Sequence, residues 1–306
     1  MEKTTLKPEI SLIIPLKDEK KSLLILYREI NQVFQKIKKI HEIIFIDDGS
    51  IDNSYQTLVN LQKKNEKIKI IKFRANFGKS QALAAGFAQA KGRIIITLDA
   101  DLQDDPREIP KLLEKLSQGY DLVCGWRKQR FDSLAKKISS LFFNRGTALI
   151  SGVRIHDFNC GLKAFRKEVA DSLYLRGELH RFIPILAAKS KFKVAEVKIN
   201  HRARKFGQSK YGLERSWRGI IDLLTVLFLT GYSRKPGHFF GKIGASLFLI
   251  GFIMDAYVAY LKLMTGTTQG KIPLLLAGIL FIVVGVQLLS IGLIAEMIVY
   301  YGKKKT

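Results

Sequence analysis

Two long apolar segments near the C-terminus constrain this chain more than any other feature. Leu274–Ala295 carries no charged residue, and Ile243–Leu261 carries only Asp255. A helix needs about 20 apolar residues to cross the hydrocarbon core of a bilayer, so both segments are long enough. Two buried helices of a soluble protein are the alternative, but the second segment is apolar on every face, which favours contact with lipid. We therefore predict two membrane-spanning helices.

The region before these segments is strongly basic. The chain has 51 Lys and Arg against 27 Asp and Glu, and Lys198–Lys242 alone has ten basic and two acidic residues. Nucleic-acid binding is one explanation, but no nucleic-acid motif accompanies the charge, so we expect no nucleic-acid partner. The position before a membrane span favours an anionic membrane surface, where each basic residue contributes about 1 kcal/mol. Residues 211–238 are predicted to form amphipathic juxtamembrane helices, with a final core helix of the soluble domain as the alternative.

Orientation in the membrane follows from the charges. Met1–Pro8 is polar and the apolar run Ile10–Leu16 is too short for a signal peptide, so the basic domain is expected to stay in the cytosol. Lys303-Lys304-Lys305 is also expected inside, although Lys262 and Lys271 in the outer connection argue mildly against this topology. We predict a multi-pass protein of the cell membrane with both termini cytosolic. Its predicted parts are a cytosolic domain over 1–210, juxtamembrane helices over 211–238, and two spans with a short basic tail over 239–306.

Short apolar runs alternate with helical patterns in the first part of the chain. Strands are predicted at Ile10–Pro15, Glu42–Ile46, Ile68–Phe73, Arg93–Leu98 and Leu122–Gly125. Helices are predicted at Ser22–Lys39 and Ser80–Ala90. This alternation indicates an α/β fold with a mostly parallel sheet that is covered on both faces. Ligands of such sheets bind beyond the carboxyl ends of the strands, where the acidic clusters of this chain lie.

Two common nucleotide-binding folds are disfavoured by inspection. No two of the 24 glycines are two residues apart, so the G-x-G-x-x-G turn of dinucleotide-binding folds is absent. Gly78-Lys79-Ser80 is similar to the end of a P-loop, but no glycine stands at the required earlier position. The two cysteines, Cys124 and Cys160, have no metal-binding spacing.

A pair of aspartates follows the fourth predicted strand. Asp99 and Asp101 are separated by one residue, and two carboxylates so placed can converge on a hard divalent cation that shares its other positions with phosphates. A helix start is the alternative, with Asp104 or Asp105 as N-cap before Pro106. The helix start leaves Asp99 and Asp101 unexplained, so both interpretations stay open together.

An ordered set of motifs resembles a known family. The chain is similar to family 2 glycosyltransferases of the polyprenyl-phosphate type, which include dolichyl-phosphate mannose synthases and bacterial bactoprenol glucosyltransferases. The matching residues are Pro15 with Glu19, Asp47-Asp48-Gly49-Ser50 with Asp52, Asn76-Phe77-Gly78-Lys79, Asp99–Pro106, Gly125-Trp126-Arg127, Asp157–Lys163, and His201-Arg202 through Gly207-Gln208-Ser209-Lys210. The chain departs from the family in the first loop, where Lys17-Asp18 replaces the usual Tyr-Asn before the glutamate.

The resemblance implies a GT-A nucleotide-sugar-binding fold and inverting transfer. The donor would be a UDP- or GDP-sugar, and the acceptor a polyprenyl phosphate such as undecaprenyl or dolichyl phosphate. The resemblance assigns nucleotide-sugar binding to Pro15, Glu19, Asp47, Asp48, Lys79, Asp99, Ala100, Asp101 and Arg127. It assigns Mg²⁺ or Mn²⁺ to Asp99, Asp101 and Gln103.

Four residues are assigned catalytic roles on the same basis: Asp99, Asp157, Arg202 and Lys210. Arg202 and Lys210 would bring positive charge to phosphate groups from a loop that is expected to be exposed and mobile. Asp157 would orient the acceptor or the sugar, or act as a weak base; a structural turn carboxylate is the alternative.

Two other functions have different expected signatures. A processive polysaccharide synthase should show a Q-x-x-R-W motif and more membrane spans, and the chain has neither. A nonenzymatic membrane scaffold would not need Asp99, Asp101, Arg202 and Lys210 together.

The apolar segments also contain spaced glycines and one acid. Gly244 and Gly251 are seven residues apart, as are Gly278, Gly285 and Gly292, and such glycines allow another helix to approach closely. The resemblance suggests a homo-oligomer, for which these stripes are a plausible contact. Asp255 is expected either to reach the membrane interface or to pack within the protein.

Overall fold

The computed structural model describes residues 7–128, 144–148, 151–175, 177–203, 206, 236–268 and 270–302. The chain divides into two units, Met1–Val226 and Leu227–Thr306, each with its own architecture. Three predictions lie outside the described residues: the role of Lys210, the amphipathic helices over 211–235, and the basic tail at 303–306.

The first unit is built on a seven-stranded sheet. The strands are β1 Ile10–Leu16, β2 His41–Asp47, β3 Ile68–Lys72, β4 Ile94–Thr97, β5 Leu122–Arg127, β6 Lys163–Arg166 and β7 Val194–Ile199. Their spatial order is β3-β2-β1-β4-β6-β5-β7, and β6 runs antiparallel to both of its neighbours while the other strands share one direction. The predicted mostly parallel sheet is confirmed.

The two strands that the sequence analysis did not predict are β6 and β7. The β6 strand has four residues and ends in a charged one, so it is too short to stand out as an apolar run. The β7 strand lies at the edge of the sheet, and its residues Val194–Ile199 mix apolar and charged side chains of intermediate exposure. In contrast, β1 is buried along nearly its whole length because helices cover both faces of the sheet there.

Helices and short 3₁₀ turns connect the strands. The helices of the first unit are α1 Lys20–Ile37, α2 Ser54–Gln62, α3 Lys79–Gln89, α4 Ile109–Ser117, α5 Lys167–Ser172 and α6 Ile183–Lys189. Pro106–Glu108 and Leu179–Phe182 form 3₁₀ turns. In α1 the buried residues Leu23, Leu26, Ile30 and Val33 recur at helical spacing and pack into the core beneath the sheet.

The register of the strands brings the acidic clusters to one edge. Leu16 of β1 pairs with Asp47 of β2, and Ile13 of β1 pairs with Thr97 of β4, so these three strands end close together. Because β6 runs the other way, it begins at this edge, where Lys163 pairs with Thr97 and Cys124. The segment that precedes β6 therefore joins the carboxyl ends of the parallel strands.

The second unit is a pair of long helices. They are α7 Pro236–Thr265 and α8 Ile272–Gly302, with 30 and 31 residues. At 1.5 Å per residue each is about 45 Å long, which exceeds the hydrocarbon thickness of about 30 Å. Both helices are long and apolar enough to cross a membrane, and little of their surface is buried within the unit. They are the two candidate membrane spans predicted from the sequence.

The spaced glycines lie between these two helices. A Cβ added to Gly244 would meet the Gly285 carbonyl oxygen at 2.7 Å, and one added to Gly251 would meet the Gly278 carbonyl oxygen at 2.5 Å. The absence of side chains thus lets α7 and α8 of one chain approach closely. The spaced glycines therefore form a contact between the two helices of one chain, and a contact between copies stays a prediction.

Each helix of the pair also directs one acid at a glycine of the other. The Glu296 carboxylate of α8 accepts a hydrogen bond of 2.9 Å from the Gly237 amide in the first turn of α7, where helical amides lack an intrahelical partner. Asp255 of α7 packs against Gly278 of α8. Of the two alternatives for Asp255, packing within the protein is the one observed.

Candidate active site

The carboxyl end of β2 supplies the first two aspartates. One oxygen of Asp47 accepts a hydrogen bond of 2.9 Å from the Ser50 amide, and its Oδ2 is buried with no hydrogen-bond partner in the described part of the chain. Both oxygens of Asp48 are used by the backbone, because the amides of Phe77 and Gly78 donate to them at 2.7 and 3.0 Å. Asp48 therefore holds the loop before α3, while Asp47 keeps a spare acceptor at the predicted nucleotide site.

The loop after β1 is tied to the loop after β2. The amide of Asp18 donates to the Ser50 hydroxyl at 2.9 Å, and the Ile51 amide donates back to the Asp18 carboxylate at 2.8 Å. The Glu19 carboxylate accepts from the Ser22 hydroxyl at 3.1 Å at the start of α1. Pro15 lies in β1, two residues before this loop begins. The structure thus brings Pro15 and Glu19 to the same edge as Asp47 and Asp48.

A close turn keeps this edge compact. Gly49 has a φ of +71°, and a Cβ there would lie 2.6 Å from the Ala75 carbonyl carbon. A side chain at this position would be strained and would also clash with the backbone. The glycine of the Asp47-Asp48-Gly49 motif is therefore required for the loop before α3 to lie against the end of β2.

Asp99 is held from two sides. The Lys79 ammonium lies 2.5 and 2.8 Å from its two carboxylate oxygens, and the side chains of Lys79 and Asp99 are 26% and 32% exposed. On the other side, a Cβ added to Gly161 would lie 2.5 Å from the Asp99 Cγ. Burial favours the neutral acid, but the Lys79 ammonium outweighs it and lowers the pKa of Asp99 below its ordinary value. Asp99 is therefore an ionised, tightly positioned carboxylate.

The turn after Asp99 presents the predicted metal ligands. Leu102 has a φ of +63°, an uncommon conformation for a leucine, and the Gln103 amide donates to the Asp101 carboxylate at 3.1 Å. Ala100 is buried beneath this turn. The donor set of Asp99, Asp101 and Gln103 consists of oxygen atoms, which suits Mg²⁺ or Mn²⁺. Within the described ranges no three His, Cys, Asp or Glu side chains are grouped as a metal site, so substrate phosphates would have to complete the coordination.

The next two aspartates, Asp104 and Asp105, are both buried. Asp105 caps the 3₁₀ turn that starts at Pro106 by accepting from the Arg107 amide, which confirms the predicted helix start. Asp104 is buried, and this burial raises the pKa of its carboxyl to about 6. The helix start thus accounts for Asp105, and metal binding at Asp99 and Asp101 stays a prediction.

Arg202 is anchored between two acids. Its Nη1 lies 2.9 and 2.8 Å from the carboxylate oxygens of Glu29 in α1, and its Nη2 lies 2.6 Å from Oδ1 of Asp105. Its amide donates to the Gln103 carbonyl oxygen at 2.8 Å, beside the predicted metal ligands. The side chain is only 19% exposed, so the expectation that Arg202 is exposed is wrong. Its neighbour in the prediction, Lys210, lies outside the described residues.

Arg127 and Asp157 form a two-point ion pair. Nε and Nη2 of Arg127 lie 2.7 and 3.0 Å from the two Asp157 oxygens, and the side chains are 13% and 3% exposed. Burial disfavours the charged guanidinium, but the Asp157 carboxylate outweighs this and raises the pKa of Arg127. Beside this pair, Trp126 stacks on His156 with ring centroids 4.1 Å apart. The end of β5 is therefore fixed to the segment before β6.

Some residues of the site make contacts that the sequence motifs do not indicate. Gly161 supports Asp99, and its carbonyl oxygen accepts a 2.7 Å hydrogen bond from the Thr97 hydroxyl. Lys163 is buried and its ammonium donates to the Cys160 carbonyl oxygen. Glu29 carried no signal, because its partner Arg202 is 173 positions away.

Comparison with known proteins accounts for this arrangement. Residues 11–174 match the model of glycosyl transferase family 2, which covers more than half of the chain. The chain belongs to this family. It is therefore a glycosyltransferase, and the resemblance identified from its motifs is confirmed.

Two relatives extend the family assignment over nearly the whole length. A dodecaprenyl-phosphate galacturonate synthase of Rhizobium johnstonii is 37% identical over 298 residues, which cover 95% of this chain and 87% of that protein. An undecaprenyl-phosphate 4-deoxy-4-formamido-L-arabinose transferase of Aeromonas hydrophila is 35% identical over 299 residues, covering 97% and 89%. Both relatives are polyprenyl-phosphate sugar synthases or transferases by name.

Solved structures confirm the fold of this glycosyltransferase. The glucosyl-3-phosphoglycerate synthase of Mycobacterium tuberculosis in complex with Mn²⁺, uridine diphosphate and phosphoglyceric acid superimposes with a TM-score of 0.57 at 18% identity. The match covers 73% of this chain and 78% of that one. The same enzyme in complex with uridine diphosphate matches with a TM-score of 0.56 at 20% identity, over 72% and 80% of the two chains. The predicted GT-A fold is confirmed.

Proposed function

We propose that this glycosyltransferase moves a sugar from a nucleotide diphosphate sugar to a polyprenyl phosphate at a membrane surface. The observation that carries the proposal is the match of nearly the whole chain, including both candidate membrane spans, to two relatives named for polyprenyl-phosphate sugars. A UDP- or GDP-sugar is the proposed donor, and undecaprenyl or dolichyl phosphate the proposed acceptor.

The donor half of the proposed site lies at the ends of β1, β2 and β4. Pro15, Glu19 and the unpaired oxygen of Asp47 are proposed to contact the base and ribose. Asp48 is proposed to act by holding the loop that carries Lys79, since both of its oxygens are used by that loop. Asp99, Asp101 and Gln103 are proposed to hold Mg²⁺ or Mn²⁺ together with the donor diphosphate. A bound divalent ion supplies positive charge to the diphosphate as it leaves.

The acceptor half of the proposed site requires no strong base. A phosphate monoester is already anionic at neutral pH, so it can attack without losing a proton to the enzyme. Asp157 is bound at both oxygens by the permanently charged Arg127, which makes it a weak proton acceptor. We therefore propose that Asp157 orients Arg127 and the segment before β6 toward the acceptor. Arg202 and Lys210 are proposed to add positive charge beside the two phosphate groups.

The proposed arrangement in the membrane keeps the predicted division of the chain. Residues 1–210 would form a cytosolic catalytic domain, 211–238 would lie on the anionic membrane surface, and 239–306 would contain both spans and a cytosolic tail. Self-association stays a prediction. A reporter fused after Thr306 should read cytosolic and one inserted at Gly266–Thr268 should read external. Two cytosolic readings would contradict this topology.

Transfer itself is tested with membranes that contain the full chain. The membranes are incubated with a panel of labelled nucleotide sugars and undecaprenyl phosphate, and the products are extracted into organic solvent. A small charged glycolipid is the expected product. A long insoluble polymer would indicate a processive synthase instead, and no product from any donor would overturn the proposal. The matched variants are Asp101→Asn, which should be inactive, and Asp171→Asn on the exposed surface of α5, which should be fully active.

A further inference from the structure

The contact between Lys79 and Asp99 conflicts with the proposed role of Asp99 as a metal ligand. The Lys79 ammonium lies 2.5 and 2.8 Å from the two carboxylate oxygens of Asp99. These oxygens are the atoms that would bind a metal ion. A divalent ion at either oxygen would be brought close to the ammonium, and the two positive charges would repel each other strongly in this partly buried place. The ion pair and the metal site are therefore two competing uses of one carboxylate.

The backbone of Lys79 is fixed while its side chain is able to move. Lys79 is the first residue of α3, directly after Gly78, and the amides of Phe77 and Gly78 donate to Asp48. This anchors the start of the helix to the end of β2. The lysine side chain carries its charge on a flexible four-carbon stem, so the ammonium can reach other anions from the same backbone position.

The Asp99 carboxylate, in contrast, has no room to move toward Gly161. The Gly161 backbone is packed so closely against its carboxylate that even a methyl group would not fit between them. The Gly161 carbonyl oxygen is held by the Thr97 hydroxyl, which belongs to β4. When the ion pair breaks, Asp99 cannot move toward Gly161, whereas the Lys79 ammonium can move away on its flexible stem.

We propose that Lys79 is an exchangeable counter-ion, which occupies Asp99 in the free enzyme and moves to the diphosphate of the arriving donor. This inference rests on the proposed function, because it takes a nucleotide diphosphate sugar as the ligand. Asp99 then joins Asp101 and Gln103 as a metal ligand only when the donor is present. Metal and donor consequently bind together, and the free enzyme binds a divalent ion weakly.

The first experiment measures Mn²⁺ binding without nucleotide. The full chain is purified in detergent, and free Mn²⁺ is followed by its electron paramagnetic resonance signal in the wild type, Lys79→Met, Asp99→Asn and the double variant. Removing Lys79 should tighten Mn²⁺ binding about tenfold when Asp99 is present and less than about twofold when it is Asn. Equal tightening in both backgrounds, or none in the first, would overturn the proposal. Lys79→Gln repeats the test with a polar side chain if the Met variant folds poorly.

The second experiment measures nucleotide binding. UDP and GDP are each titrated calorimetrically at saturating Mn²⁺, and Lys79→Met should weaken the better of the two by about tenfold, since one charge-assisted contact to the diphosphate is lost. A purely structural role for Lys79 would not tighten the metal and weaken the nucleotide in the same variant. Unchanged nucleotide affinity would show that Lys79 does not move to the diphosphate. The matched control is Lys91→Met, an exposed lysine just before β4 at the opposite edge of the sheet, which should change neither affinity.

These measurements need neither a sugar nor a lipid acceptor. The Mn²⁺ cycle can succeed even if no polyprenyl phosphate is glycosylated, in which case only the proposed acceptor is wrong. If transfer to polyprenyl phosphate is observed but the cycle gives no coupling between Lys79 and Asp99, the proposed function stands and the counter-ion exchange is rejected.

Discussion

Arg127 holds Asp157 with two parallel contacts of 2.7 and 3.0 Å, and this buried pair joins the last residue of β5 to the segment that leads into β6. A guanidinium is suited to this geometry because its two donors match the two oxygens of a carboxylate. An ammonium at the same position would make a single contact with Asp157 in place of two.

The first prediction follows from this pair. Arg127→Lys should keep the positive charge but lower kcat/KM by at least about tenfold, or about 1.4 kcal/mol. The reason is that the segment before β6, which contains Asp157, is no longer held at two points. Arg93→Lys at the exposed amino end of β4 is the control and should leave kcat/KM unchanged. Transfer kinetics on detergent-purified protein provide the measurement. Equal activity of Arg127→Lys and the wild type would show that the two-point contact is unimportant.

The second prediction concerns the glycine behind Asp99. Gly161→Ala would place a methyl group 2.5 Å from the Asp99 Cγ, so the carboxylate must shift out of position. We expect kcat/KM to fall at least about 100-fold, or about 2.7 kcal/mol, with weaker Mn²⁺ binding in the presence of nucleotide. Gly146→Ala is the matched control, since no described residue lies within 4 Å of a Cβ there. If Gly161→Ala retained full activity, Asp99 would not need its observed position.

The third prediction concerns the metal. EDTA should abolish transfer and added Mg²⁺ or Mn²⁺ should restore it, because Asp101 and Gln103 present oxygen donors that need a cation to bind the diphosphate. Asp101→Asn keeps the side-chain shape and removes a charged ligand, so it should lose activity while its melting temperature stays close to that of the wild type. Full activity in metal-free buffer would reject this assignment.

The fourth prediction concerns the contribution of Arg202 to stability. The side chain bonds Glu29 and Asp105 while being mostly buried, and hydrogen bonds to charged groups contribute about 1.5–3 kcal/mol. Arg202→Ala should therefore lower the apparent melting temperature by about 5 °C, given about 2–4 °C per kcal/mol for a unit of this size. Exposed Arg93 again serves as the control, because Arg93→Ala should change the melting temperature by less than about 1 °C. An unchanged melting temperature for Arg202→Ala would mean that these ion pairs do not contribute to stability.

The fifth prediction concerns the helical pair of the second unit. Gly251→Leu should force α7 and α8 apart, because even a Cβ would lie 2.5 Å from the Gly278 carbonyl oxygen. Gly241→Leu in the same helix should be tolerated, because a Cβ there meets no atom of another described element within 4 Å. Cysteines introduced at Phe240 and Gly292, whose Cβ atoms would lie 3.1 Å apart, would report the separation by cross-linking. The cross-link should decrease only in the Gly251 variant.

The elements that could be predicted from the sequence are those with a continuous local signal. β1 to β5 were located because each is a run of apolar residues followed by a turn, and the two apolar helices were evident from their length. β6 and β7 gave no such signal: one has four residues, and the other is an edge strand with charged side chains. The direction of β6 is set by pairing with β4 and β5, which no local pattern encodes.

The candidate site divides in the same way. The carboxylates could be located because they follow predicted strands and match family motifs. Their cationic partners could not, since Lys79 and Asp99 are 20 positions apart, Arg127 and Asp157 are 30 apart, and Arg202 and Glu29 are 173 apart. Each carboxylate has several basic residues available in so basic a chain, and the fold alone selects among them.

The reversed direction of β6 has a consequence for how enzymes with this architecture diversify. The proposed donor side of the site lies where the parallel strands β1, β2 and β4 end, whereas Asp157 and Gly161 belong to the segment that enters β6. The two sides are thus encoded by separate stretches of the gene, which are in contact at Thr97 and Asp99 among other residues. We expect substitutions at the ends of β1, β2 and β4 to alter the choice of sugar nucleotide without changing acceptor recognition. Substitutions in the segment that enters β6 should alter acceptor recognition without changing the choice of sugar nucleotide. Chimaeras exchanged between Asp121 and Lys167 would then transfer acceptor preference alone.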